Sequence, residues 1–252
     1  MGKIIAVVNQ KGGVGKTTTA VNLTAALAAE GKKVLLCDFD PQANATSGMG
    51  VEKRKVKHSV YDVIVNEVPA AQAVVQTKFG AVLPSSADLA GAAVELLTLP
   101  EPNFRLKNAL NALKGEYDYI FIDCPPSLEM LTLNGLAAAD SILVPVQCEY
   151  YALEGLSDLM STLRAVKKRM NPDLDIFGVL LTMFDGRTNF STQVAQEVRR
   201  HFPGKVYATV IPRNIRLAEA PSHGLPVNAY DKHSRGAVAY KAVAEEILRK
   251  NG

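Results

Sequence analysis

The stretch that most restricts the possible folds is Asn9-Gln10-Lys11-Gly12-Gly13-Val14-Gly15-Lys16-Thr17-Thr18-Thr19. An apolar run, Ile4-Ile5-Ala6-Val7-Val8, comes before it, and a segment with helical spacing, Ala20, Leu23 and Leu27, follows. A glycine-rich turn between a strand and a helix aims consecutive backbone N–H groups at one point, where the positive end of the helix dipole also acts. That arrangement holds a polyphosphate. The expected binding set is Gly12, Gly13, Val14, Gly15, Lys16, Thr17 and Thr18, with Lys16 on the terminal phosphates and the Thr17 hydroxyl on a magnesium ion. The pattern G-x-x-x-x-G-K-[ST] asks for glycine where this chain has Gln10, and a second lysine, Lys11, stands beside it. Lys11 by itself also reads as one more solvated lysine.

The rest of the chain alternates short apolar runs with helical patterns. The expected strands are Lys3–Val8, Val34–Asp38, Ala81–Pro84, Tyr119–Asp123, Ile142–Val146, Phe177–Leu181 and Val206–Ile211. The expected helices are Thr17–Glu30, Asp88–Leu97, Phe104–Lys114, Leu153–Met170, Thr192–His201 and Ala237–Lys250. Strands this continuously apolar are buried on both faces. The fold class is therefore α/β, a mostly parallel sheet with helices on both faces, and ligands in such folds bind beyond the carboxyl ends of the strands. With 252 residues, 48% hydrophobic and 21% charged, and no repeat or long linker, the chain reads as one P-loop domain, residues 1–252.

Two strand ends carry carboxylates. Asp38 and Asp40 fall on the same side of an extended segment; if that strand neighbours the first, both face the phosphates. Asp38 then suits a magnesium-bound water and Asp40 the attacking water. The plain alternative is a loop that is acidic because loops are polar. Asp123 ends the apolar strand Tyr119–Asp123 and is turned away at once by Pro125 and Pro126, which presents one carboxylate to magnesium and leaves a turn able to shift. Pro212 and Asn214 lie where a base would sit, and Asn214 is the first choice for reading an adenine edge.

Other features are less specific. The formal charge of +3 says little about partners. The basic run Glu52-Lys53-Arg54-Lys55-Val56-Lys57-His58 reads first as a solvated face and otherwise as a contribution to DNA or partner binding, and Arg187 and Arg216 lie on exposed-looking loops. Glu149, Tyr150 and Tyr151 either face a dimer partner or begin a capped helix. Cys37, Cys124 and Cys148 lack C-x-x-C spacing and read as buried thiols of a reducing cytosol. No apolar run reaches a membrane span and no signal peptide fits, so a cytoplasmic location is expected.

Taken together, Lys11–Thr19, Asp38-Phe39-Asp40-Pro41-Gln42, Asp123-Cys124-Pro125-Pro126-Ser127, Pro145-Val146-Gln147 and Pro212-Arg213-Asn214-Ile215-Arg216 resemble the ParA family, within the ParA/MinD group of deviant Walker A ATPases and closest to its chromosomal Soj branch. The likeness covers nearly the whole chain but not the N-terminal helix-turn-helix extension of the larger plasmid members. It implies an ATP-sandwiched homodimer that binds double-stranded DNA without sequence preference, associates with the nucleoid, and hydrolyses ATP when stimulated by a ParB/Spo0J-type centromere-binding protein. It further implies that Lys11 crosses to the partner's nucleotide, that Thr17 and Asp123 belong to the magnesium site, that Asp40 activates water, and that Arg187 and Arg216 contact DNA.

Three competing readings stand beside it. A MinD-like membrane-cycling ATPase needs a terminal amphipathic helix with a bulky apolar face, and the end Ala242–Gly252 has small apolar positions interrupted by Glu245 and Glu246. An iron–sulfur ATPase needs a second loop cysteine beside Cys124. An ATP-gated DNA-binding scaffold with negligible hydrolysis uses the same residues.

Overall fold

Six largely apolar segments and one short polar edge segment become the seven strands of one sheet in the computed structural model, which describes residues 2–127, 129–149 and 152–251. They are β1 Lys3–Val7, β2 Val34–Asp38, β3 Val75–Thr77, β4 Gly80–Leu83, β5 Tyr119–Asp123, β6 Ser141–Gln147 and β7 Asp175–Thr182. The order across the sheet is β3-β4-β2-β5-β1-β6-β7, parallel throughout except for the β3–β4 edge. Period-two alternation divides the core between the two faces. Ile4, Ala6, Leu35, Cys37, Ile120 and Ile122 pack on one side, and Ile5, Val7, Leu36 and Phe121 on the other.

The sheet matches the expected class, with differences that have physical causes. β5 lies between β1 and β2, so the second strand does not neighbour the first. Val206–Ile211 is not a regular strand. It meets β7 only around Val206 and Tyr207 and again at Ile211, because the N–H groups of Ala208 and Thr209 donate instead to the buried Glu246 carboxylate, at 2.9 and 3.2 Å. β3 was not expected; three residues are too few for a period to register. The helix expected over Asp88–Leu97 breaks at Gly91 into a 3-10 turn, Ala87–Ala90, and a short helix, Ala92–Leu96. Short helices at Asn44–Gly48, Met130–Ala138 and Ile215–Glu219 were not foreseen either.

Two helices matter most for the site. The first, α1 (Lys16–Ala29), leaves the glycine loop, and α2 (Asn44–Gly48) follows the end of β2. The C-terminal helix Arg235–Asn251 buries Tyr240, Val243, Ala244 and Ile247 in the face that α1 also covers, and Tyr240 Oη lies 3.1 Å from Thr19 Oγ1. Its apolar stripe is therefore spent on the core. Among the described residues no helix is long and apolar enough to cross a membrane. Cys37, Cys124 and Cys148 are all buried free thiols.

Candidate active site

β1, β5 and β2 end level with one another: Val7 pairs with Asp123, and Asp123 with Asp38. The chain leaving β1 turns back through a loop in which Gly13 (φ 76°) and Gly15 (φ 91°) occupy the left-handed region that side chains resist. A Cβ added at Gly12 or Gly13 would meet no atom within 4 Å, so that side of the loop is open. Among the described residues no side chain caps the start of α1, which leaves its first-turn N–H groups without the usual side-chain acceptor. The loop is braced by Asn9, which is buried. Its Nδ2 donates to Pro145 O at 2.8 Å, and its Oδ1 accepts from Lys11 N at 3.0 Å.

Lys16, 7% exposed, bridges the loop by donating to Lys11 O at 3.1 Å. Burial lowers its pKa, and the charges of Asp123, Cys124 and Asp40 work against that shift. Asp123 is fully buried, and neither carboxylate oxygen makes a hydrogen bond among the described residues. Burial and the neighbouring Asp38 push its pKa well up. Thr17 faces it without closing to full hydrogen-bond geometry, and Lys16 lies close enough to oppose the shift. A desolvated, partnerless carboxylate beside a hydroxyl offers oxygen ligands suited to magnesium, which takes few protein oxygens and keeps its other positions for phosphate and water, while the Lys16 ammonium, having no lone pair, is left for phosphate.

Asp38 and Asp40 part company. Asp38 is fully buried, and its Oδ2 accepts from both Thr46 N (2.6 Å) and Thr46 Oγ1 (2.7 Å). Burial raises its pKa to about 6, against the opposing bonds from Thr46. Asp40, past the end of the strand, stays partly exposed; its Oδ1 accepts from Gln42 N, and its charge is felt by both Lys16 and Asp123. Thr46 was missed by sequence reasoning. It sits within α2 and also accepts from Ser85 N at 3.0 Å, tying the ends of β2 and β4 together. Beside Thr17 and Thr18 lies a cavity of about 280 Å3, also lined by Asn22, Asn44, Ser47 and Pro221.

Lys11 is held within its own chain. Its Nζ lies 2.9 Å from Glu149 Oε2, and Gln147 Nε2 donates to the other Glu149 oxygen. Tyr150 and Tyr151 lie outside the described residues. Pro212 bridges to Phe184, bringing its segment against the end of β7. Asn214 caps Ile215–Glu219, its Oδ1 accepting from Arg216 N at 3.1 Å, so its side-chain oxygen is engaged within the chain. Arg216 is thus in a short helix, not a loop, and pairs with Glu219 (2.7 Å) and Asp231 (3.4 Å). Arg187 is on a loop, 89% exposed and clasped by Asp185 at 2.7 and 2.9 Å; the Arg187 bonds hold that carboxyl at about 2.

Comparison with known proteins bears on this arrangement. A family model described as an AAA domain matches residues 2–176. The chain is 57% identical over 249 residues to the sporulation initiation inhibitor protein Soj of Bacillus subtilis, covering 98% of each. It is 50% identical over 253 residues to the chromosome partitioning protein ParA of Myxococcus xanthus, covering 100% of this chain and 89% of that one. Among solved structures it superposes on the cobyrinic acid a,c-diamide synthase of Mycobacterium smegmatis with bound ATP analog and magnesium. There the TM-score is 0.86 and the identity 40%, over 99% of this chain and 95% of the other.

Proposed function

The chain belongs to the Soj/ParA family of chromosome-partitioning ATPases, and from that premise we propose that its 252 residues act as one magnesium-dependent P-loop ATPase domain that gates DNA binding by nucleotide. The loop residues Lys11, Gly12, Gly13, Val14, Gly15, Lys16, Thr17 and Thr18 hold the phosphates, and Pro212 and Asn214 border the base. Thr17 and Asp123 would hold magnesium, with Asp38 behind them through a water. When bound, the ion neutralises charge on the transferring phosphoryl group. Lys16 follows that charge from the ground state to the transition state, and Asp40 orients the attacking water. Two copies close over two nucleotides, each Lys11 reaching the other's phosphates. Arg187 and Arg216 then lie on the dimer and meet duplex phosphates. A ParB-type centromere-binding protein stimulates hydrolysis, which resets the cycle in the cytoplasm at the nucleoid.

One observation carries this reading: Lys16, Thr17 and the partnerless Asp123 carboxylate converge beneath an open glycine loop. It is tested by steady-state phosphate release with magnesium and ATP, with and without duplex DNA and the ParB-type protein. Slow basal turnover that rises when both are present, and is absent in Lys16→Ala, is expected. Turnover that Lys16→Ala leaves untouched would move the site elsewhere, and negligible hydrolysis under every condition would favour the ATP-gated scaffold.

A further inference from the structure

Val14 is buried at the crown of the glycine loop, and its carbonyl oxygen accepts a hydrogen bond from Thr182 Oγ1 at 2.8 Å. Thr182 is the last residue of β7, is itself buried, and is 168 residues away in sequence. In the sheet, β6 lies between β7 and β1, from which the loop springs. The loop therefore reaches sideways across β6, where Asn9 holds Pro145 O, and is caught at its far side by Thr182. Immediately after Thr182 the chain enters an uncommon conformation, Met183 at φ 50°. An L residue in that region is costly and is kept where its surroundings fix it, often at a functional site. The Thr182 carbonyl also accepts from Cys148 N at 3.3 Å, so the same residue steadies the segment that carries Glu149.

The consequence follows from peptide geometry. In a planar trans peptide the carbonyl and the following N–H point in opposite directions. A Val14 carbonyl drawn toward Thr182 turns the Gly15 N–H the other way, and no acceptor among the described residues takes that N–H. We propose that Thr182 is a positioning residue of the phosphate loop: its hydroxyl pins the Val14 carbonyl outward and so aims the Gly15 N–H at the bound phosphates. This rests on the nucleotide-site reading above. Thr182 does not touch the nucleotide; it acts through one peptide plane.

Equilibrium binding of fluorescent ADP and ATP analogues, with magnesium, provides the test. It compares the wild type with Thr182→Val, Thr182→Ser and Thr182→Cys, and the nucleotide-free melting temperature of each is measured alongside. Thr182→Val keeps the shape and removes the donor, and Kd for both nucleotides is expected to rise about tenfold. Thr182→Ser restores the donor and is expected to bind as the wild type does. A merely structural Thr182 would lower the melting temperature and leave the affinity of the folded protein unchanged; that result, or an equal loss in the serine variant, overturns the proposal. If the valine variant does not fold, Thr182→Cys carries the same expectation, because its thiol fills the site but donates weakly. Wild-type affinity in the cysteine variant would then overturn it. A wild type that binds neither nucleotide would overturn the nucleotide-site reading and this proposal with it, whereas wild-type binding that Thr182→Val leaves unchanged would overturn this proposal alone.

Discussion

Lys11 Nζ lies 2.9 Å from Glu149 Oε2 of the same chain, an ion pair about one-third and one-half exposed at its two ends. The lysine that the ParA resemblance sends across to a second copy's nucleotide is therefore occupied at home in this conformation. In the proposed dimer, closure has to break the pair before Lys11 can make a new contact. An exposed pair of this kind is worth about 0.2–1 kcal/mol, enough to weight the equilibrium without blocking it.

Each copy carries one such pair, so Glu149→Gln is accordingly expected to strengthen ATP-dependent self-association about two- to thirtyfold, the range that two pairs' energy allows. Raising the salt should narrow the gap from the wild type, since screening weakens the pair in the latter alone. Sedimentation equilibrium across protein concentrations, with ATP and magnesium, measures both effects. Association unchanged by the substitution would mean that the pair does not oppose closure.

Asp123 leads to a prediction with two signs. Its carboxylate is buried with no hydrogen-bond partner among the described residues and its pKa is raised by burial and by Asp38, which marks an arrangement unfavourable in the empty protein. Asp123→Asn should therefore raise the nucleotide-free stability by about 1 kcal/mol or more while abolishing the magnesium dependence of nucleotide binding. Urea denaturation and a magnesium titration read the two halves separately. A destabilised variant that kept its magnesium response would contradict both.

Asp40 is the carboxylate that remains partly exposed and electrostatically coupled to Lys16 and Asp123. Asp40→Ala should still bind ATP and should lose hydrolysis by about 10²–10⁴-fold, so that a nucleotide-bound dimer accumulates. Single-turnover phosphate release beside size-exclusion chromatography checks this; a wild-type rate would remove Asp40 from the hydrolytic step.

For DNA, the carboxylate partners of the two arginines sharpen the expectation. Arg187→Ala and Arg216→Ala should each weaken duplex binding and flatten its salt dependence by about two units of slope per dimer. Asp185→Ala, which releases Arg187 from its clasp, should strengthen binding. The measurement is a salt titration on two unrelated duplexes with ATP or ADP. Equal binding with ADP would remove the gating, and unchanged slopes in both arginine variants would move the surface, with exposed Lys232, Arg235 and Lys241 the next residues to change.

What the sequence determined by itself is whatever local spacing encodes. Glycines, lysine and hydroxyl between an apolar run and a helical pattern are enough to place a phosphate loop, and an apolar run ending in Asp123 is enough to place a carboxylate at a strand end. The βα alternation is enough for a parallel sheet. What tertiary structure alone decided is which ends meet. Sheet order put β5 between β1 and β2, so Asp123, not Asp38, lies beside the loop, while Asp38 turned inward to Thr46. The buried Glu246 carboxylate drew two N–H groups out of an apparent strand. Lys11 met Glu149 across 138 residues, and Val14 met Thr182 across 168. The physical reason is range: turn chemistry and side-chain periodicity act over a few residues, whereas these pairings follow from the order in which distant strands lie side by side, and no local pattern records that order.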